Sequence, residues 1–109
     1  MNLNFNEMEK VMVYFDMPGM TGEQYDQIWK DLRTAGHSNP KGLLHHASAS
    51  TANGWMVVDV WESADHFQEF GKTLMPILEK NGVPKNDPVV LPLHYMYSGT
   101  ERHEYESKI

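Results

Sequence analysis

Two extended runs, Leu43 to Ser50 and Trp55 to Glu62, are separated only by TANG, whose Asn53-Gly54 pair favours the φ > 0 conformations of hairpin turns. A hairpin of this kind constrains the chain more than any other feature. It fixes which residues oppose one another, and every flanking element must then pack on a sheet that already exists. If Ser50 faces Trp55, His46 faces Asp59 and Leu44 faces Trp61. Side chains directly opposed on one sheet face have Cβ atoms about 5 Å apart, within reach of an imidazole-carboxylate hydrogen bond.

Outside the hairpin the periodicity changes twice. Val11 to Met17 (VMVYFDM) is a β-branched and aromatic run of strand length, ended by Pro18-Gly19. Thr21 and Gln24 have the spacing of a capping box, and Tyr25, Ile28, Trp29 and Leu32 follow at i, i+3, i+4 and i+7, which predicts an amphipathic helix ended at Gly36. After the hairpin, Ser63 is placed to cap a second helix, with Asp65 in its first turn and Phe67, Phe70, Leu74, Ile77 and Leu78 on its buried stripe. Pro76 is expected to bend or shorten that helix, which ends by Asn81-Gly82. Pro88 to Tyr97 (PVVLPLHYMY) reads as a last strand, confined by Pro92 to an edge or a bulge.

The order β, α, β, β, α, β predicts an α+β fold of ferredoxin-like βαββαβ topology, an antiparallel sheet with both helices on one face. A chain of 109 residues is sized for a single domain, with a folded core over about 10–97 and a polar tail over 98–109, mobile or lying on a partner subunit. The second sheet face also carries apolar and aromatic groups, and this chain has no third layer to cover them. A homodimer with the sheets facing one another, a dimeric α+β barrel, is the expected cover, and its interior is a candidate ligand cavity.

Composition narrows the functional classes. The net charge of -6 and the lack of basic runs interleaved with aromatics argue against nucleic acid as a partner. There is no cysteine, hence no disulfide, thiolate metal site or cysteine nucleophile. That suits a reducing cytoplasm. Met1 to Lys10 lacks the pattern of a secretory leader and no run approaches the ~20 apolar residues of a membrane span, so a cytoplasmic chain without a membrane partner is expected. No Gly-rich phosphate loop, GxSxG elbow or Rossmann fingerprint is present, and no cofactor is expected.

The candidate chemistry lies in the hairpin. A carboxylate beside an imidazole orients the ring, fixes its tautomer and raises its proton affinity, so His46 and Asp59 are the candidate catalytic pair. The same pair also reads as a satisfied polar contact holding two strands in register. Met56, Val58 and Val60 are uniformly apolar and suit the helix-covered face, whereas Trp55, Val57, Asp59 and Trp61 mix bulk with polarity and suit the barrel wall. Trp55, Trp61 and His94 are the candidate substrate-binding residues; packing at the dimer core is the alternative for each. A slip of one residue would exchange His46 for His45. No metal site is expected: His45 and His46 are adjacent on a strand and point to opposite faces, and His46, Asp59 and His94 converge only if the last strand brings His94 to them, within the subunit or across a dimer.

The stretches MTGEQYDQIWKDL, GLLHHASAS, NGWMVVDVWES, HFQEF and LPLHYMY resemble small members of the antibiotic biosynthesis monooxygenase-like family of the dimeric α+β barrel superfamily. The resemblance covers roughly residues 10–97, with VVDVWES at the strand-to-helix junction as its most recognisable piece. It implies a homodimer with a pocket in each subunit and a small-molecule ligand, with His46, Asp59, Trp61 and His94 at pocket-lining positions. The activity it implies is cofactor-independent oxygenation of an aromatic or quinol-like substrate. The alternative left open is a non-enzymatic binding or dimerisation module.

Overall fold

The computed structural model describes residues 9–99. The elements run β1 (Val11–Pro18), α1 (Gly22–Thr34), β2 (Leu43–Thr51), β3 (Gly54–Trp61), α2 (Ala64–Lys80) and β4 (Val89–Pro92). The sheet has the order β2-β3-β1-β4 with every neighbouring pair antiparallel, which is the ferredoxin-like arrangement. Most of the tail expected over 98–109 lies outside the described residues. Among the described residues no helix is long and apolar enough to cross a membrane.

Local chemistry explains the helix bounds. Thr21 and Gln24 form the capping box, with Gln24 N donating to Thr21 Oγ1 at 3.1 Å and Thr21 N donating to Gln24 Oε1 at 3.0 Å. Ser63 caps α2 by accepting from His66 N at 3.2 Å. Gly36, with φ of 90°, follows α1 as the left-handed residue that stops it. Pro76 does not end α2, which continues to Lys80. It sits on the exposed side of the helix, where the carbonyl it leaves without a donor can turn to water.

The hairpin forms in the expected register at Ser50↔Trp55 and His46↔Asp59, but not through the expected turn. Neither Asn53 nor Gly54 has φ > 0. Gly54 is instead the first residue of β3, where a Cβ would stand 2.1 Å from the Met17 carbonyl oxygen. It is required by close backbone approach, not by turn geometry. At the other end the register slips between Leu43 and His45, so that Leu43, not Leu44, opposes Trp61. Leu44 is the extra residue of this irregularity and is left 40% exposed.

The face assignment is the reverse of the expectation. Val11, Val13, Phe15 and Met17 of β1 pair with Trp61, Asp59, Val57 and Trp55, and this shared face carries the core, packed with Ile28 and Leu32 of α1 and Leu78 of α2. Met56, Val58 and Val60 lie on the open face with Met12 and Tyr14. Asp59 is tolerated under the helices because both its oxygens are hydrogen-bonded, so its polarity was no guide to the face. The last strand is shorter than expected: pairing with β1 ends at Val11↔Pro92, and beyond it Leu93 N donates to Lys10 O at 2.9 Å.

Candidate functional site

A cavity lies between the sheet and the two helices of the single chain, not in a space enclosed by two sheets. β1 contributes Phe15 and Met17; α1 contributes Tyr25, Ile28, Trp29 and Leu32; Leu43, His46, Val57 and Asp59 come from the hairpin; Phe70, Leu74 and Leu78 come from α2; and Met20, between β1 and α1, completes the lining. Its free space, about 50 Å³ for the centre of a water-sized sphere, is room for no more than a few waters. A benzene-sized ligand occupies a cavity of about 150 Å³, so binding a ring here requires lining side chains to move aside.

The irregularity at Leu44 sets the polar part of this wall. It lets Leu43 and His46, three residues apart, both face the helices, while His45 turns to the open face beside Val60. His46 Nδ1 lies 2.5 Å from Asp59 Oδ1, and His46 Nε2 lies 2.6 Å from the Tyr25 hydroxyl. Asp59 Oδ2 accepts from Trp61 Nε1 at 3.2 Å. In the neutral ring, with Asp59 as acceptor, Nδ1 carries the proton and Nε2 presents its lone pair to the Tyr25 hydroxyl, which donates. The side chain of Asp59 is 7% exposed and that of His46 22%. Trp29 meets the His46 ring edge-on, with centroids 5.1 Å apart and planes at 78°.

Of the residues singled out in the sequence, His46 and Asp59 come together in the cavity wall. Trp61 does not line the cavity; it is fully buried, packs on Phe67 and Phe70, and supports Asp59 through its indole N–H. Trp55 touches the site through Tyr25, whose ring it stacks on at 5.3 Å and 27°, and its own buried Nε1 has no hydrogen-bond partner among the described residues. His94 lies exposed beyond β4, away from the cavity, because the strand ends before reaching it. Among the described residues no three His, Asp or Glu side chains are grouped as metal ligands.

Tyr25 is the site residue that sequence reasoning did not separate from packing. A signal was present: Tyr25 lies on the apolar stripe of α1, and a hydroxyl turned to the core needs a partner.

No family profile matches the chain and no curated protein matches it in sequence. Its fold is nevertheless found in solved structures. A protein of Chloroflexus aurantiacus provisionally described as an antibiotic biosynthesis monooxygenase aligns over 83% of this chain and 99% of its own, with TM-score 0.56 and 13% identity. The monooxygenase ActVA-Orf6 of Streptomyces coelicolor, solved with nanaomycin D, aligns over 86% of this chain and 95% of its own, with TM-score 0.53 and 15% identity. A dimeric ferredoxin-like protein of unknown function from Thermobifida fusca aligns over 84% and 97%, with TM-score 0.51 and 17% identity. The chain has the fold of the antibiotic biosynthesis monooxygenase-like proteins. At these identities the likeness concerns the fold alone.

Proposed function

We propose that this chain binds an aromatic or quinol-like small molecule between its sheet and helices, and that the His46–Asp59 pair acts there as a general base. The observation that carries this reading is the run of short hydrogen bonds from Asp59 through His46 to Tyr25, set in the wall of an otherwise apolar cavity. Asp59 holds the Nδ1 proton, leaving Nε2 as the basic nitrogen, and balances the positive charge as the ring accepts a proton from a phenol or enol. The substrate anion left behind is electron-rich and is oxidised by dioxygen. One oxygen atom bonds to substrate carbon, and the other leaves as water with two substrate hydrogens. ActVA-Orf6, described as a monooxygenase, supports the reading through its shared fold.

The proposal includes a homodimer joined through the open sheet face, supported by the apolar residues there and by the dimeric description of the Thermobifida protein. Trp55 contributes by fixing Tyr25; Trp61 supports Asp59 and holds no ring; His94 has no part in it. The small free volume favours a second reading, a non-enzymatic dimerisation module whose interior is filled by its own side chains.

The test is oxygen uptake and the shift of melting temperature over a panel of phenols and quinols, with the parent protein and His46→Ala side by side. Uptake by the parent that His46→Ala loses supports the base. Equal turnover by the two removes His46 from the mechanism, and no melting shift with any compound favours the filled module.

A further inference from the structure

We infer that Tyr25, not His46, is the group that meets the substrate, and that the substrate is an uncharged, largely apolar molecule with one ionisable hydroxyl or enol. This rests on the reading of the cavity given above and changes which side chain does the work.

Both nitrogens of His46 are already occupied. Asp59 takes Nδ1 at 2.5 Å and the Tyr25 hydroxyl takes Nε2 at 2.6 Å, so no ring nitrogen is left for a ligand. Tyr25 is not free to swing away without loss, because its ring stacks on Trp55 and is anchored in the capped start of α1. A phenol oxygen has one proton to give and two lone pairs to receive. Its proton is committed to His46, and its lone pairs are the remaining acceptors at the end of the chain. A proton leaving the substrate therefore goes to the Tyr25 oxygen as the Tyr25 proton goes to Nε2. One O–H bond breaks on the substrate and one N–H bond forms on His46, while Tyr25 finishes as it began. No electrons change hands; a substrate anion and an imidazolium paired with Asp59 replace two neutral groups.

The rest of the wall selects the ligand. Among the described residues no Lys or Arg lines the cavity, and outside Tyr25, Trp29, His46 and Asp59 every lining side chain is hydrocarbon or thioether. A phosphate or carboxylate brought here would lose its water with no cation in return. A neutral molecule with a single acidic hydroxyl meets no such penalty.

The probe is 4-nitrophenol, whose yellow anion absorbs clear of protein, added at a pH just above the ordinary imidazole range, with the yellow band read as the excess of anion over that in free solution. The parent is expected to bind it and develop the yellow band. Tyr25→Phe, which keeps the ring on Trp55, is expected to bind within about threefold as tightly but to lose the band at least about tenfold, as is His46→Gln. Imidazole ¹⁵N signals, with Nδ1 still protonated in Tyr25→Phe, separate this from misfolding. If Tyr25→Phe keeps or strengthens the band, the hydroxyl meets His46 directly and Tyr25 is only a plug. Binding without colour in the parent overturns the proton transfer, and no binding by any of the proteins overturns the cavity reading itself.

Discussion

His46 Nδ1 and Asp59 Oδ1 stand 2.5 Å apart across the β2-β3 hairpin, and the other Asp59 oxygen holds the indole N–H of Trp61. One buried carboxylate thus satisfies two ring donors. Asp59→Ala should cost about 2–3 kcal/mol, since two donors lose their acceptor beneath the helices. Asp59→Asn should cost less but disturb the histidine, because one oxygen becomes a donor and the Nδ1 proton loses its preferred acceptor. Urea titration gives the first number, and ¹⁵N spectra of the imidazole give the tautomer. A fully retained Nδ1–H in Asp59→Asn would show that something other than the carboxylate fixes the ring.

Gly54 provides a sharper check of the hairpin. A methyl group there would meet the Met17 carbonyl at 2.1 Å and Gly19 N at 2.7 Å, both backbone atoms that cannot swing aside. Gly54→Ala should destabilise the fold by about 1–3 kcal/mol, as overpacking does elsewhere. Asn53, which has negative φ, should tolerate Ala far better. A substitution at Asn53 as damaging as that at Gly54 would mean that the turn, not the β1-β3 approach, sets the requirement.

The element order and the His46↔Asp59 register were legible because they depend on local periodicity and one short turn. The face was not. It was inferred from the polarity of Asp59, whereas the deciding pattern is on β1, where Val11, Val13, Phe15 and Met17 form one unbroken apolar side. Joining that side to Asp59 requires the β1-β3 register, a long-range pairing that no local signal prints. The same gap hid Tyr25, whose partner lies 21 residues away on another element. His94 was misplaced for a local reason, since apolar composition continued past the point where pairing with β1 stops.

Asp31 on α1 predicts an acid sensitivity. Hydrogen bonds from Asn81 and Gln27, with Lys80 close by, hold its carboxyl below the ordinary carboxylate range, against a smaller opposing effect of burial. A lowered folded-state pKa contributes stability above the unfolded value, about 3.9, and that contribution fades as pH falls through the folded one. Asp31→Asn should therefore be less stable than the parent near neutrality, with the gap shrinking below about pH 4. Thermal melts of both proteins from neutral to acidic pH measure it. A gap that stays constant with pH would rule out the ionised carboxyl as the source.

The open sheet face carries the prediction about assembly. Val89 and Leu91 are 37% and 42% exposed there, beside Met12, Tyr14, Met56 and Val58, and the helices that cover the opposite face cannot reach them. Burial against a second sheet would remove this surface from water at about 25 cal/mol per Å². A charge at its centre would lose its water with nothing to pair with. Val58→Asp should then sediment as a monomer where the parent sediments as a dimer, and the melting temperature of the parent alone should rise with protein concentration. The cavity with Tyr25, His46 and Asp59 lies on the other face and is built within one chain, so the variant should still bind 4-nitrophenol. A parent that is monomeric at every concentration would remove the dimer and leave the site standing; a Val58→Asp monomer that no longer binds would tie the site to the assembly.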